Sequence, residues 1–509
     1  MTSRMVLPGT PPTPPLPRKG GGSRDQALPP CGLFITHKFD PIGHSVRKNI
    51  MRPTLELHHV DLGDRRLDRR FLKLVDDFAR DPEANLPEAS RDWAATKAAY
   101  RFFDNPAVAT VAIRAALRRD ALESLPPRGP VLAVQDTTGL DFTGHPATEG
   151  LGYLDHPKHS GLLLHTTLAV SPEGVPCGII DQRTWTRDPA ELGKSHVRRS
   201  KATADKESRR WLEALRATEA ALPTDREVVT VADREADIYD LFAEPRRRGS
   251  HLLIRVKPLR GVRHPERLLG PAVRGGAARG TMTVDLRRGD DRPARRAALT
   301  IRFLALEVAP PANRRGRKDL PYVALTAILA EEEHPPAGQA PVRWWLVTTL
   351  PIRDLADAER AVRWYALRWL IERYHFVLKS GCRVERLQLR TAARLDRAVA
   401  TYSAVAWRLL WLTSEARRHP EGLSDRVLSR EQLEVLKRST GGIDAARRAP
   451  PGLREAVRQI ARLGGFLGRK GDGEPGVMTL WRGLRRLDDR VAGYTLCLMN
   501  KSDSSMGNE

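Results

Sequence analysis

The sequence predicts an α/β protein, with a β-rich middle flanked by helical segments at both ends. Three observations carry this. Apolar residues recur at helical spacing up to about residue 116. Short apolar runs separated by turn signals fill residues 130 to 350. Helical patterning then returns from about Ala356 to the C-terminus.

The elements follow in chain order. Residues 1–50 read as a disordered head, because Pro11, Pro12, Pro14, Pro15 and Pro17 precede Gly20-Gly21-Gly22 with little to pack. Met51 is a second candidate start, so this head reads as a dispensable tail or a misassigned start. Between Leu62 and Ala116, Leu67, Phe71, Leu74, Val75 and Phe78 form one apolar stripe of a helix. Arg65, Arg66, Arg69, Arg70 and Lys73 crowd the same segment, which suits DNA backbone contact as well as an ordinary solvated face. From about 130 the runs Val131–Val134, Leu162–Val170, Val175–Ile180 and Val228–Ala232 read as strands, with Ser171-Pro172-Glu173-Gly174 as a turn. Leu252–Val256, Leu299–Leu306 and Tyr322–Leu329 are further strand candidates. Basic loops at Arg292–Arg296 and Arg314–Lys318 lie between them. One long helix is predicted over 356–379.

Composition narrows the function classes. The 509 residues suffice for three or four domains, and 41% of them are apolar, enough to build cores. A formal charge of +23 opposes compaction by self-repulsion. Such an excess fits a polyanionic partner, nucleic acid before an anionic membrane surface, although an Arg-rich genome would also raise it. The four cysteines are far apart and form no C-x-x-C, which argues against a disulfide framework or structural zinc site. The N-terminus carries no apolar signal-peptide core. The longest apolar stretch, Thr401–Thr413, is interrupted by Arg408 and falls short of the roughly 18 residues of a membrane helix.

Two features carry chemistry. Asp136 and Asp233 each fall where a short apolar strand is expected to stop, a rigid and half-exposed position suited to a metal ligand or general base. An Asp capping the next turn would look the same. On the predicted helix 356–379, Tyr365, Arg368, Glu372 and Lys379 share a stripe about 60° wide, opposite Leu367, Leu370, Ile371, Tyr374 and Leu378. Arg368 and Glu372 could be an ordinary i,i+4 ion pair, but a plain solvated face needs no Tyr in line. Three carboxylates beside a basic stripe suggest phosphodiester chemistry on two divalent ions.

These residues carry a resemblance. Tyr365, Arg368, Glu372 and Lys379 match the Y-x2-R-x3-E-x6-K signature of the insertion-sequence-four family of DDE transposases, of the Tn5 type. Asp233-Arg234-Glu235-Ala236-Asp237-Ile238 matches its second-Asp motif, and Asp136-Thr137-Thr138 its first. Leu62-Gly63-Asp64, Ala99-Tyr100-Arg101-Phe102, Arg292-Pro293-Ala294-Arg295 and Ile460–Phe466 resemble its other regions, so the likeness spans about residues 60 to 495. It implies an RNase H-like catalytic core with an inserted β domain at about 256–350. Flanking this core it implies an N-terminal helical DNA-binding domain and a C-terminal helical dimerisation domain. The boundaries expected are 51–125, 126–415 and 416–509. It implies a transposase that binds terminal inverted repeats and performs cut-and-paste transposition, with a domesticated or nuclease-only DNA-binding protein as the alternative.

The resemblance further assigns Asp136, Asp233 and Glu372 to a metal-binding catalytic triad holding two Mg2+ ions, with Mn2+ as a substitute. Tyr365, Arg368 and Lys379 would contact DNA near the cut. Trp344 occupies the place where the family stacks a flipped base, against an alternative as a strand-core Trp. Arg255, Lys257 and Arg260 match family DNA contacts, and Arg255 and Lys257 would share one face of a strand. His165 reads as a structural histidine near the triad. The implied partners are double-stranded DNA, as transposon ends and target, and a second copy in a homodimer, with no membrane. The implied setting is the bacterial cytoplasm, on nucleoid DNA. The basic residues of the N-terminal helix do not align one for one with the family's, so its end-sequence preference is not carried over.

Overall fold

A computed structural model describes residues 33–34, 57, 59–193, 206–286, 295–311, 319–441, 450–470 and 472–505. Of the expected head, only the short strand β1 (Leu33–Phe34), paired with Leu286 and Asp285, falls among them. The basic loop Arg314–Lys318 and residues 292–294 of the other lie outside.

The N-terminal helices are α1 (Arg65–Arg80), α2 (Leu86–Ser90), α3 (Trp93–Asp104) and α4 (Thr110–Glu123). The α1 stripe behaves as its spacing dictates: Phe71, Leu74, Val75 and Phe78 are buried, while Leu67 is half-buried. Asp64 caps the helix by accepting the Arg66 N–H. Phe78 stacks on Tyr402 at 4.4 Å, which ties this domain to the long helix behind the sheet.

The sheet begins with β2 (Val131–Asp141), β3 (Gly152–Tyr153), β4 (Ser160–Val170) and β5 (Pro176–Trp185). The turn predicted between the last two is present, with Gly174 at φ +85 and its N–H donating to Ser171 O at 2.7 Å. Helix α5 (Arg209–Ala221) leads to β6 (Val228–Ala232), short α6 (Tyr239–Ala243) and β7 (Ser250–Arg255). β2 runs parallel to β6, and β6 parallel to β7, while β4 and β5 are antiparallel neighbours on the other side of β2. The mainly apolar, fully buried segments Val131–Val134 of β2 and Val228–Ala232 of β6 suit strands covered on both faces.

The insertion holds β8 (Val262–Arg263), α7 (Leu269–Arg274), β9 (Gly280–Leu286), β10 (Arg295–Val308), β11 (Val323–Glu331) and β12 (Arg343–Thr348). It does not fold apart from the core. β12 pairs antiparallel with β7, so the insertion extends the same sheet in the order β9-β10-β11-β12-β7. Alternation explains the packing: Ile328, Ala330, Trp344 and Leu346 join one core, and Ala327, Leu329, Trp345 and Val347 the other.

The predicted helix 356–379 is three pieces. They are α8 (Leu355–Ala366), α9 (Trp369–Phe376) and a π-helical turn, Val377–Gly381. Helices α10 (Ala392–Arg418), α11 (Arg430–Gly441), α12 (Leu453–Leu463) and α13 (Val477–Ser505) complete the chain. α12 and α13 cross at glycines: a Cβ on Gly464 would lie 1.8 Å from Thr479 O, and one on Gly483 1.8 Å from Ile460 O. Among the described residues no helix is long and apolar enough to cross a membrane.

Candidate active site

The parallel pairing of β2 with β6 ends at Val134↔Val231. Asp136 lies two residues past that point and Asp233 is the first residue after β6, so both carboxylates sit at the C-terminal edge of parallel strands, where open α/β sheets bind ligands. One expectation is corrected. β2 does not stop at Asp136 but continues to Asp141, because Asp136, Thr137 and Thr138 pair with Thr166, His165 and Leu164 of β4. Asp136 is therefore fixed by a ladder on one side and free of one on the other. At Asp233 the capping reading holds, since its carboxylate accepts the Glu235 N–H at 2.8 Å.

Helix α8 packs against β6 and β7, and α9 against β2, which carries Glu372 to the same edge of the sheet. The polar stripe is largely buried, against the reading of a solvated face: Tyr365 is 3% and Arg368 9% exposed. The stripe looks onto the sheet edge while the opposite face packs on α10. Arg368 forms an ion pair with Glu372. Lys379 donates to Gly139 O at 2.9 Å and pairs with Glu385 at 3.1 Å, so it is anchored to β2. The edge of Tyr365 meets Trp344 at 5.4 Å. Trp344 itself is 7% exposed and belongs to the core, so stacking on a base would require its ring to be uncovered.

The electrostatics bind these groups into one site. Burial raises the Asp233 carboxyl above its usual range, and the nearby Asp136 raises it further. Burial also raises Glu372; Arg368 opposes this, while Asp136 and Asp233 add to it. For Arg368 burial works against the charge, but Tyr365, Glu372, Asp136 and Asp233 outweigh it and raise the guanidinium pKa. Asp136 also has His375 Nδ1 at 3.5 Å from its Oδ2. Three partly buried carboxylates that destabilise each other's charge, with only oxygen donors, fit a hard divalent cation, whose charge would reverse the repulsion. They are not drawn into one tight cluster. Among the described residues the ligand atoms lying within 4.8 Å of one another belong to His59, Asp120 and Glu123, at the surface near α4.

The remaining DNA-contact candidates divide by exposure. Arg65, Arg66, Arg69 and Lys73 are exposed and Arg70 half-buried on α1, with Lys73 paired to Asp77 at 3.0 Å. Lys257 is exposed and Arg255 half-buried. Arg260 is engaged internally: it pairs with Asp237 at 2.5 Å and lies over the Phe242 ring. The helical pattern of α3 is legible in the sequence, but its exposed face is not singled out there. Trp93, Lys97, Tyr100, Arg101 and Asp104 form its exposed face, Trp93 being 78% exposed. The i, i+4, i+7, i+8 spacing of aromatic and basic residues was the available signal.

Comparison with known families identifies three successive domains. Residues 53–108 match transposase DNA-binding domains, residues 199–408 the transposase DDE domain, and residues 404–502 the transposase Tn5 dimerisation domain. The chain is a DDE transposase of the Tn5 type. The transposase is thus a DNA nuclease and strand transferase, dependent on a divalent metal, that binds DNA and forms a homodimer. The DDE match includes Asp233 and Glu372, whereas Asp136 lies ahead of it. Helix α3 falls within the DNA-binding match.

Proposed function

We propose that Asp136, Asp233 and Glu372 are the catalytic carboxylates of cut-and-paste transposition and hold two Mg2+ ions, with Mn2+ able to substitute. The observation that carries this is the convergence of three mutually repelling carboxylates at the C-terminal edge of β2 and β6. When bound, divalent ions lower the pKa of a water or 3′-hydroxyl and stabilise the leaving oxygen of an in-line displacement. Arg368 and Lys379 hold the scissile phosphates in line, and Tyr365 packs beside them. Trp344 takes the flipped base once uncovered; Arg255 and Lys257 follow the backbone.

The reaction order is nicking of a transposon end, attack of the freed 3′-hydroxyl on the opposite strand to form a hairpin, hairpin opening, and strand transfer to target DNA. One site serves every step because each is a displacement at phosphorus. Residues 51–125 bind the terminal inverted repeats, 126–415 carry the chemistry and 416–509 dimerise, each subunit cutting the end held mainly by its partner. The protein works on nucleoid DNA in the bacterial cytoplasm. The test is cleavage and joining of the gene's own flanking ends. Asp136→Ala, Asp233→Ala and Glu372→Ala should each abolish both steps while retaining end binding, and full cleavage by any of them with Mg2+ would refute the assignment.

A further inference from the structure

Beside the carboxylates lies a buried cation that the proposed chemistry does not use. Arg210, on the first turn of α5, has a side chain 14% exposed. Its Nε donates to Thr137 Oγ1 at 2.9 Å, its Nη1 to Glu207 O at 3.0 Å and its Nη2 to Glu235 Oε2 at 2.7 Å. The guanidinium lies over the rings of Trp185 and Trp211, at 5.6 and 5.2 Å. Burial lowers its pKa, and Glu235 and Glu207 work in the opposite sense.

The two hydrogen-bond arms end on different segments. Thr137 follows Asp136 on β2. Glu235 donates its N–H to Asp233. A path of three contacts, through Thr137, Arg210 and Glu235, therefore joins the segment carrying Asp136 to the turn carrying Asp233. His165 fixes the near end: burial, then Arg210, push its pKa well below the usual range, so it is neutral. The Thr137 hydroxyl accepts from Arg210 and also shares a hydrogen bond with His165 Nδ1 at 2.9 Å.

We propose that Arg210, with Glu235 and Thr137, is a positioning brace that sets the separation of Asp136 and Asp233. It touches neither metal nor DNA, and it rests on the carboxylate reading above. The path crosses the one place where ladder bonding between β2 and β6 has ended, so no backbone pairing fixes that spacing. A loosened pair of carboxylates should hurt Mg2+, which demands near-ideal octahedral geometry, more than the more tolerant Mn2+.

The test uses the full-length protein and four variants. Glu235 is 57% exposed, so Glu235→Ala severs one arm without opening the core. Arg210→Lys keeps the buried charge but replaces the planar fork that reaches both arms by a single ammonium on a shorter stem. Thr137→Val removes the hydroxyl, and Thr137→Ser restores it. Mn2+ affinity, measured by titration without DNA, should fall about tenfold in Glu235→Ala, Arg210→Lys and Thr137→Val, and recover in Thr137→Ser. Mg2+-supported cleavage should fall about 10- to 100-fold, with Mn2+-supported cleavage falling at least several-fold less. Unchanged Mn2+ affinity in Glu235→Ala and Arg210→Lys would overturn the brace. So would equal losses with both metals that track a lowered melting temperature. Asp233→Ala is the control: if it still cleaves, the carboxylate reading fails, whereas a dead control beside unaffected brace variants refutes the brace alone.

Discussion

Removing one charge at a time from the carboxylate cluster should shift stability in opposite directions at Asp233 and Glu372. In Asp233→Asn the amide oxygen still caps the Glu235 N–H, and what disappears is a charge disfavoured by burial and by Asp136. Relief of this kind at a functional site is worth about 1 kcal/mol, or about 2 °C in a domain of a few hundred residues. In Glu372→Gln the charge removed is the partner of Arg368, whose side chain is only 10% exposed. Arg368 then loses its ion-pair partner and keeps only the attraction of Asp136 and Asp233; breaking a buried pair costs about 3 kcal/mol, or roughly 6 °C, which outweighs the relief of Glu372's own burial. The assay is thermal unfolding in a chelator. Because the folded pKa of Asp233 is raised, the penalty its charge imposes is present above that value and vanishes as pH falls through it into the ordinary carboxylate range. The Asp233→Asn advantage should shrink over the same window. Mg2+ should stabilise the wild type more than either variant. A lower melting temperature for Asp233→Asn, comparable to that of Glu372→Gln, would refute the reasoning.

Gly483→Ala would drive a Cβ into Ile460 O, so it should cost at least the upper end of about 1–3 kcal/mol and weaken dimerisation, read by thermal unfolding and sedimentation. End binding should weaken about 1,000-fold between about 50 and about 200 mM salt if six or more phosphates are contacted; a flat response would contradict a phosphate-led interface. Lys97→Ala with Arg101→Ala should reduce the slope of log affinity against log salt by about two. An unchanged slope would remove the exposed face of α3 from the interface.

Much of the architecture was legible where local pattern and final environment agree. Val228–Ala232 is apolar at every position but Thr230 because it is covered on both faces, and the strand read from the sequence is the strand observed. The α1 stripe likewise follows from its period. The site itself was legible as spacing, since Asp136, Asp233 and Glu372 do reach one edge of the sheet. What pattern could not reveal was set by partners distant in sequence. Thr137 and Thr138 look like the start of a loop until β4 offers them a ladder. Tyr365 in line with Arg368 argues against a solvated face, but only the folded sheet edge shows what covers them. How the inserted strands β9–β12 join the core sheet could not be read from pattern, because nothing local shows that Leu346 pairs with Arg255. Arg210 carried no visible signal, since its partners Thr137 and Glu235 are 73 and 25 residues away.

The break in the predicted helix has a structural logic that a continuous helix would lack. Leu367 and Arg368 form a turn between α8 and α9, with Leu367 N–H donating to Trp364 O and Arg368 N–H to Tyr365 O, the tight i to i+3 pattern. α8 can therefore lie against β6 and β7 while α9 turns to lie against β2, so one segment follows the edge across three strands. The π turn after Phe376 makes a second adjustment: Cys382 N–H reaches Val377 O at 2.7 Å, and Lys379 is carried onto Gly139 of β2. Such irregularities are tolerated where a helix must present side chains to a site rather than only pack. Arg368 stands at the first break and Lys379 within the second. The two cations proposed to hold phosphates thus occur at the two places where regular helical geometry is given up.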